Sequence, residues 1–540
     1  MKLRLVFTVL ASLAVPFSAI AAEASLPAVA PAILTPSAPA SPRINGAGVF
    51  GVRPGAPFLY AIPATGQRPM RFSAVGLPTG LSLDAGTGRI TGSVAKAGEH
   101  IVRLCAENAL GKVERLFRIV VGERIALTPP MGWSSWNCWG DAVSQERVLS
   151  SARAMAEKGL REHGWTYINI DDGWQAPRGG EFNALQPNKK FPDMKALADE
   201  IHGLGLKFGI YSSPWRGTYA GYVGGSSDLA DGRYPWVMAG DVDEFYHLNK
   251  DPKAPDAKPS WVNWSFGAHS FAANDARQWA AWGVDYLKYD WFPNDVPHVA
   301  EMSEALRSTG RDIVYSLSNT GLYDKASDYL RLANAWRSTG DIVDTWESVS
   351  RNGFSQDRWA GFTGPGHWTD PDMLVLGQVG WGPSLHPTRL TPDEQYSHMS
   401  LWCLLSSPLL LGCDLSRIDD FTLSLLTNDE VLAVDQDSLG RQATQFRNEK
   451  GQVIYAKTLE DGSIAVGLFN RGEAETSIAL TWGPWGTLPT ERTGMHFVVR
   501  DLWRQKDLGE FKDKFEATVA SHGVVLVRLI PVQAKQEAAQ

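Results

Sequence analysis

The chain has 540 residues, 44% hydrophobic and 20% charged, with a formal net charge of -8. That length exceeds what one core serves and calls for several domains. An acidic balance with no long basic run excludes nucleic acid as the main partner.

The chain opens on MKLRLVFTVLASLAVPFSAIAAEA. Lys2 and Arg4 make a short positive region, Leu5 to Val15 an apolar run too short for a comfortable membrane span, and Ala19-Ile20-Ala21 a small-residue cleavage site. Residues 1–21 are therefore predicted to be a bacterial-type signal peptide, and the protein to be exported to the periplasm or secreted. No other stretch has the length and apolarity of a membrane helix. Residues 22–43 are rich in Ala, Pro and Ser and read as a linker.

Residues 44–122 carry recurring turn signals between short alternating runs such as HIVRLCAEN and ERLFRIVV. This pattern predicts a small immunoglobulin-like β-sandwich. Its stretch GLPTGLSLDAGTGRITG resembles the immunoglobulin-like modules attached to exported bacterial enzymes. No catalytic constellation stands out in it, and a spacer or docking role is expected.

Over 123–434 apolar β runs alternate with helical stretches. The strand candidates lie in MGWSSW, YINIDD, KFGIYSS, DYLKYD, IVYSLS, AWRSTGD, GHWTDPDM and LLLGCDL. Eight such units predict a (β/α)8 barrel, with an open doubly wound sheet as the alternative. Residues 435–532 return to short strands between Gly, Asp and Asn turns, which predicts a C-terminal antiparallel β-sandwich. Cys105, Cys138, Cys403 and Cys413 match no zinc spacing, and their pairing stays open.

The charges gather at strand ends. Asp171 and Asp172 end the second barrel strand, Lys288 and Asp290 the fourth; Arg337 and Asp341 bracket the end of the sixth. Asp370 and Asp372 sit at the seventh and Asp414 near the eighth. A helix N-cap explains any one Asp, but not five strands with polar endings at one end. In a barrel that end carries the active site. Lys288 and Asp290 share one strand face by the two-residue period, so both are expected to point into the barrel mouth. Tyr211, Trp133 and Trp136 add aromatic surface.

The stretches TPPMGWSSWN, YINIDDGW, KFGIYSS, DYLKYD, WRSTGDI, PGHWTDPDML and SSPLLLGCDL, in this order, resemble glycoside hydrolase family 27, the α-galactosidase and α-N-acetylgalactosaminidase family. The resemblance implies a retaining exo-glycosidase that removes terminal α-D-galactose from oligosaccharides or glycans, with no metal or other cofactor. It implies Asp290 as nucleophile and Asp341 as general acid/base. Arg337, Asp171, Asp172, Tyr211, Lys288 and Asp372 match sugar-binding positions, and Trp133 the apolar wall under the ring. Asp290 is expected to be ionised beside Lys288, and Asp341 to hold its proton in the resting enzyme. A Mg²⁺ site in a proton-abstracting barrel and a non-catalytic carbohydrate-binding protein are the rival uses of these acids.

Two departures from the family stand out. A cysteine pair that many members carry beside the pocket is replaced by Tyr219 and Phe292, so Trp291 and Phe292 are expected to reshape one wall. In the loop that faces the sugar's 2-substituent, Ser318, Asn319 and Gly321 replace bulkier residues and are expected to leave room. α-N-Acetylgalactosaminide and β-L-arabinopyranoside specificities therefore stay open beside α-galactoside.

Overall fold

The computed structural model describes residues 32–234, 263–483, 486–489 and 495–532. The predicted signal peptide lies outside these residues. Eight parallel strands make one sheet: β1 Met131–Ser134, β2 Tyr167–Asn169, β3 Lys207–Ser212, β4 Tyr286–Asp290, β5 Val314–Ser318, β6 Ala335–Arg337, β7 Trp368–Asp370 and β8 Leu409–Leu411. Their spatial order is β7-β6-β5-β4-β3-β2-β1-β8. Leu374, just past β7, pairs in parallel with Leu411 of β8. Its N–H donates to the Leu410 carbonyl at 2.8 Å, which closes the sheet into a (β/α)8 barrel rather than an open sheet.

A helix follows each strand: α1 Gln145–Glu157, α2 Met194–Gly203, α3 Ala272–Trp282, α4 Val296–Ser308, α5 Ala326–Leu332, α6 Trp346–Gly353, α7 Pro392–Leu405 and α8 Asp420–Leu426. Their starts are written in the sequence. Ser144, Asp193, Asp295, Thr345, Thr391 and Asp419 each accept a backbone N–H of the first turn, and Thr391 completes a capping box with Glu394.

The pleat divides each strand between two environments. On β4, Leu287 and Tyr289 join the apolar layer under the helices, while Tyr286, Lys288 and Asp290 turn inward. The barrel floor is apolar: Tyr167, Tyr286, Val314, Met373 and Leu410 pack with Ile125. Polarity rises toward the C-terminal strand ends. Gly209 of β3 is inward too, and there is no space for anything larger. An added Cβ would lie 2.0 Å from Asn169 Oδ1 and 2.8 Å from the Tyr286 Cβ.

The N-terminal module is two small sheets, one of 49–52, 111–121, 98–108 and 71–75, the other of 57–61, 89–93 and 81–83. It docks on the barrel face opposite the mouth. There the Arg53 N–H and Nε donate to Asp312, just before β5, at 2.9 and 2.6 Å. The stretch read as a linker is tied down from Ile33 onward. The Leu34 N–H donates to the Tyr396 hydroxyl and Thr35 Oγ1 to the Ser424 carbonyl.

The C-terminal module stacks a six-stranded antiparallel sheet on a smaller one around Ile454, Leu468, Leu480, Phe497 and Leu529. Helix α7 is buried all round from Glu394 onward because it lies between barrel and sandwich, and that part of its sequence carries no polar face. Trp503 Nε1 donates to Ser400 Oγ of α7 at 2.9 Å, and Lys457 Nζ to the Cys403 carbonyl at 3.0 Å. The four cysteines are free thiols, all buried.

Candidate active site

The strand ends converge on a cavity of about 360 Å³, a size usual for a small-molecule site. Asp171, Asp172, Tyr211, Lys288, Asp290, Ser318, Arg337, Asp341 and Asp372 line it, so nine of the ten predicted site residues meet in one place. A larger cleft of about 440 Å³ separates the N-terminal module from the barrel floor. Its acids are already engaged: Asp285 by Arg311 at 2.6 Å and Asp312 by Arg53 at 2.6 Å. The groups that suit hydrolytic chemistry are at the mouth.

Lys288 is the hub. Its Nζ donates to Asp171 Oδ2 at 2.8 Å and lies 5.5 Å above the Tyr211 ring. Burial would push its pKa down, but Asp171 and Asp290 outweigh that and hold the ammonium charged. Asp171 also accepts Ser134 Oγ at 3.1 Å and the Asp172 N–H at 2.8 Å. Among the described residues no three His, Cys, Asp or Glu side chains are arranged to hold a metal.

Asp172 accepts the Ala220 N–H at 2.8 Å on Oδ2 and leaves Oδ1 buried with no partner among the described residues. An unmade buried hydrogen bond is costly unless a ligand completes it. Burial, with the neighbouring charges of Asp171 and Asp290, raises Asp172 to about 7. On the opposite rim Arg337, 4% exposed, bonds Asp372 at 2.9 Å through Nη1 and Asp341 at 3.2 Å through Nη2. Asp372 adopts a positive φ of 88°, and its Oδ2 accepts the Ile342 N–H at 2.7 Å. That bond ties the loop bearing Asp341 to the end of β7.

The protonation order reverses the expectation. Asp290, 7% exposed, is raised to about 6 by burial, which outweighs the pull of Lys288, and the charges of Asp171 and Asp341 add to the rise. For Asp341, burial against the cavity wall works upward, but Arg337 and Lys288 outweigh it and hold its carboxyl below the usual range. Its side chain is 80% exposed, so solvent screens part of that pull. In the resting site a shared proton therefore prefers Asp290. The sequence showed Lys288 beside Asp290 but not the guanidinium four residues before Asp341 folding back onto it.

Three further expectations are corrected. Trp133 does not line the cavity. It is wholly buried under the helices with Nε1 on the Cys413 carbonyl at 2.7 Å, because the β1 pleat turns Ser134 inward and Trp133 outward. Trp136 and Trp381 line the cavity instead. Phe292 is 51% exposed and Trp291 is buried behind the wall, so neither reshapes it. Tyr219 does, held edge-on by Trp215 and Trp264 at 5.3 and 4.7 Å. Gly321 faces away from the cavity: its N–H bonds the Arg337 carbonyl at 2.7 Å, and an added Cβ would lie 2.9 Å from that oxygen.

Asp414 is a cap and not a pocket residue; its Oδ1 accepts the Ser416 N–H and hydroxyl at 3.0 and 2.7 Å. Sequence reasoning missed Trp381, in a loop with no periodic pattern, and the bond from Asn319 Nδ2 to Asp290 Oδ1.

Comparison with known proteins places the molecule among relatives. The "Alpha galactosidase A" model matches residues 128–233 and 263–437, the "Alpha galactosidase C-terminal beta sandwich domain" model 449–529, and an Ig domain model 41–122. Alpha-galactosidase 2 of Arabidopsis thaliana is 34% identical over 76% of this chain and 92% of its own length. The α-N-acetylgalactosaminidase of Gallus gallus is 32% identical over 75% and 94%. Among solved structures, a Bacteroides fragilis protein described as a candidate α-galactosidase/melibiase superposes with a TM-score of 0.78 at 32% identity, over 92% of this chain and 99% of that one. A β-L-arabinopyranosidase of Geobacillus stearothermophilus superposes with a TM-score of 0.62 at 30% identity, over 76% and 98%.

Proposed function

The chain belongs to glycoside hydrolase family 27 and is a glycoside hydrolase, and on that premise we propose that it removes terminal α-D-galactose from oligosaccharides or glycans with retention of anomeric configuration. The observation that carries this reading is the pair Asp290 and Asp341 on one cavity, close enough for the charge of one to shift the other. Asp290 attacks the anomeric carbon as Asp341 gives its proton to the departing glycosidic oxygen. Water then attacks the glycosyl ester, Asp341 takes its proton, and the Asp290 carboxylate leaves. Asp171, Asp172 and Asp372 suit the sugar hydroxyls, held by Lys288, the Ala220 N–H and Arg337 respectively. The cavity ends on the packed barrel interior, which suits a chain end rather than a chain passing through. Lys2, Arg4 and the apolar run after them support export. Among the described residues no helix is long and apolar enough to cross a membrane.

The small Ser318 beside Asn319 favours a second reading, α-N-acetylgalactosaminide hydrolysis, because it leaves space on that wall. A panel of p-nitrophenyl α-galactoside, α-N-acetylgalactosaminide and β-L-arabinopyranoside separates the readings. The α-galactoside is expected to be hydrolysed with the highest kcat/KM. A higher value for either of the others reassigns the sugar, and no hydrolysis of any contradicts the proposal.

The pH profile follows from the reversed protonation order. Catalysis needs one proton on the pair, with Asp290 ionised and Asp341 protonated. Rising pH removes the first proton from Asp341, below the ordinary Asp range, and the second from Asp290 at about 6. The bell of kcat/KM is thus expected to rise at strongly acidic pH and fall near pH 6, and the productive form is the minor arrangement of the shared proton. A plateau extending well above pH 7 contradicts this order.

A further inference from the structure

We propose that Asn319 is a positioning residue, which orients the Asp290 carboxylate through its Nδ2–H bond to Oδ1. The inference rests on the reading of Asp290 as nucleophile. Asn319 directly follows the last residue of β5 and holds a φ of 64°, a left-handed conformation that Asn tolerates better than most residues. That turn aims the amide at the end of the adjacent strand β4, where Asp290 pairs with Ser318 and Nδ2 donates to Asp290 Oδ1. Tyr219 lines the same cavity. Trp215 and Trp264, packed edge-on against Tyr219, limit its movement.

Other groups act on Asp290 as well. Lys288 reaches it from its own strand, Asp171 and Asp172 from beyond β2, Tyr211 from β3, and Arg337 and Asp341 from the end of β6. The Tyr211 hydroxyl is directed at Asp290 as well. The Asn319 amide holds Oδ1 of that carboxylate by a direct hydrogen bond. A donor to a carboxylate favours its charged form. Removing it makes Asp290 hold the shared proton more tightly and makes the productive arrangement rarer.

The test uses two variants of the whole chain. Asn319→Gly keeps the left-handed backbone and deletes the amide; Asn319→Asp keeps the shape and replaces the donor with a carboxylate. In Asn319→Gly the upper limb of kcat/KM is expected to move up by about one pH unit and the plateau to fall about tenfold. In Asn319→Asp the shift is larger, since two acids then share one proton. An upper limb unmoved in both variants overturns the inference, whatever happens to kcat. The same ordering is expected from the ¹³C carboxyl resonance of Asp290, assigned with Asp290→Asn and titrated without substrate. That readout survives if no glycoside in the panel is hydrolysed, so failure of the proposed function and failure of this inference remain distinct.

Discussion

Asp290→Asn is expected to lower kcat on p-nitrophenyl α-galactoside by about 10⁴-fold or more, with the fold intact. Losing the nucleophile removes the covalent route altogether, and what remains is the binding and positioning that the rest of the site supplies. At about 1.36 kcal/mol per tenfold, the drop corresponds to at least about 5 kcal/mol of transition-state stabilisation. The thermal midpoint is expected to stay or to rise slightly. Asp290 is buried and its charge is held there against desolvation, so a neutral isostere relieves the strain. Asn keeps the oxygen that accepts the Asn319 bond. Kinetics and circular dichroism melting on the same preparation check both halves. Normal turnover in a folded variant refutes the assignment of the nucleophile.

Asp341→Asn is expected to show a loss that depends on the leaving group. On an unactivated galacto-oligosaccharide the departing oxygen needs a proton, so kcat/KM should fall by about 10²–10⁴-fold. On a dinitrophenyl α-galactoside the first step needs little proton donation, and kcat/KM should fall far less. Its kcat still drops, because water has lost its base in the second step; azide needs no base and should restore it. Asp341 is largely exposed and bonds only one arm of Arg337, whose other arm holds Asp372, so stability should barely change. Equal losses on both substrates, with no response to azide, contradict the acid/base role.

Much of this was legible in the sequence because two physical signals coincide. Period-two apolar runs that end in Asp, Lys or Arg are what barrel strands with a catalytic rim require. Asp172 beside Asp171, Asp290 two residues after Lys288 and Asp341 four after Arg337 locate that rim without coordinates. The rest depended on facts that spacing does not carry. The stretch Met131–Ser134 is compatible with either pleat phase, and only the bond from Ser134 to Asp171 shows that Trp133 faces the helices.

The protonation order was misjudged for a related reason. Lys288 is near Asp290 in sequence, whereas the burial of Asp290 and the return of Arg337 onto Asp341 exist only in the fold. Trp381 joins the site from an irregular loop with a positive φ of 51°, a position no periodicity marks. The bond from Asn319 to Asp290 on the adjacent strand likewise depends on the left-handed turn after β5, which the chain does not advertise.

The account stands most directly on one covalent bond. A fluorinated galactosyl fluoride that forms the glycosyl ester readily and hydrolyses slowly should inactivate the enzyme in a time-dependent way. Peptide mass spectrometry after digestion should then find the sugar's mass on the peptide containing Asp290, and on no peptide in Asp290→Asn. A label on another carboxylate, or no covalent species from an enzyme that releases the inverted sugar, would contradict the two-step mechanism.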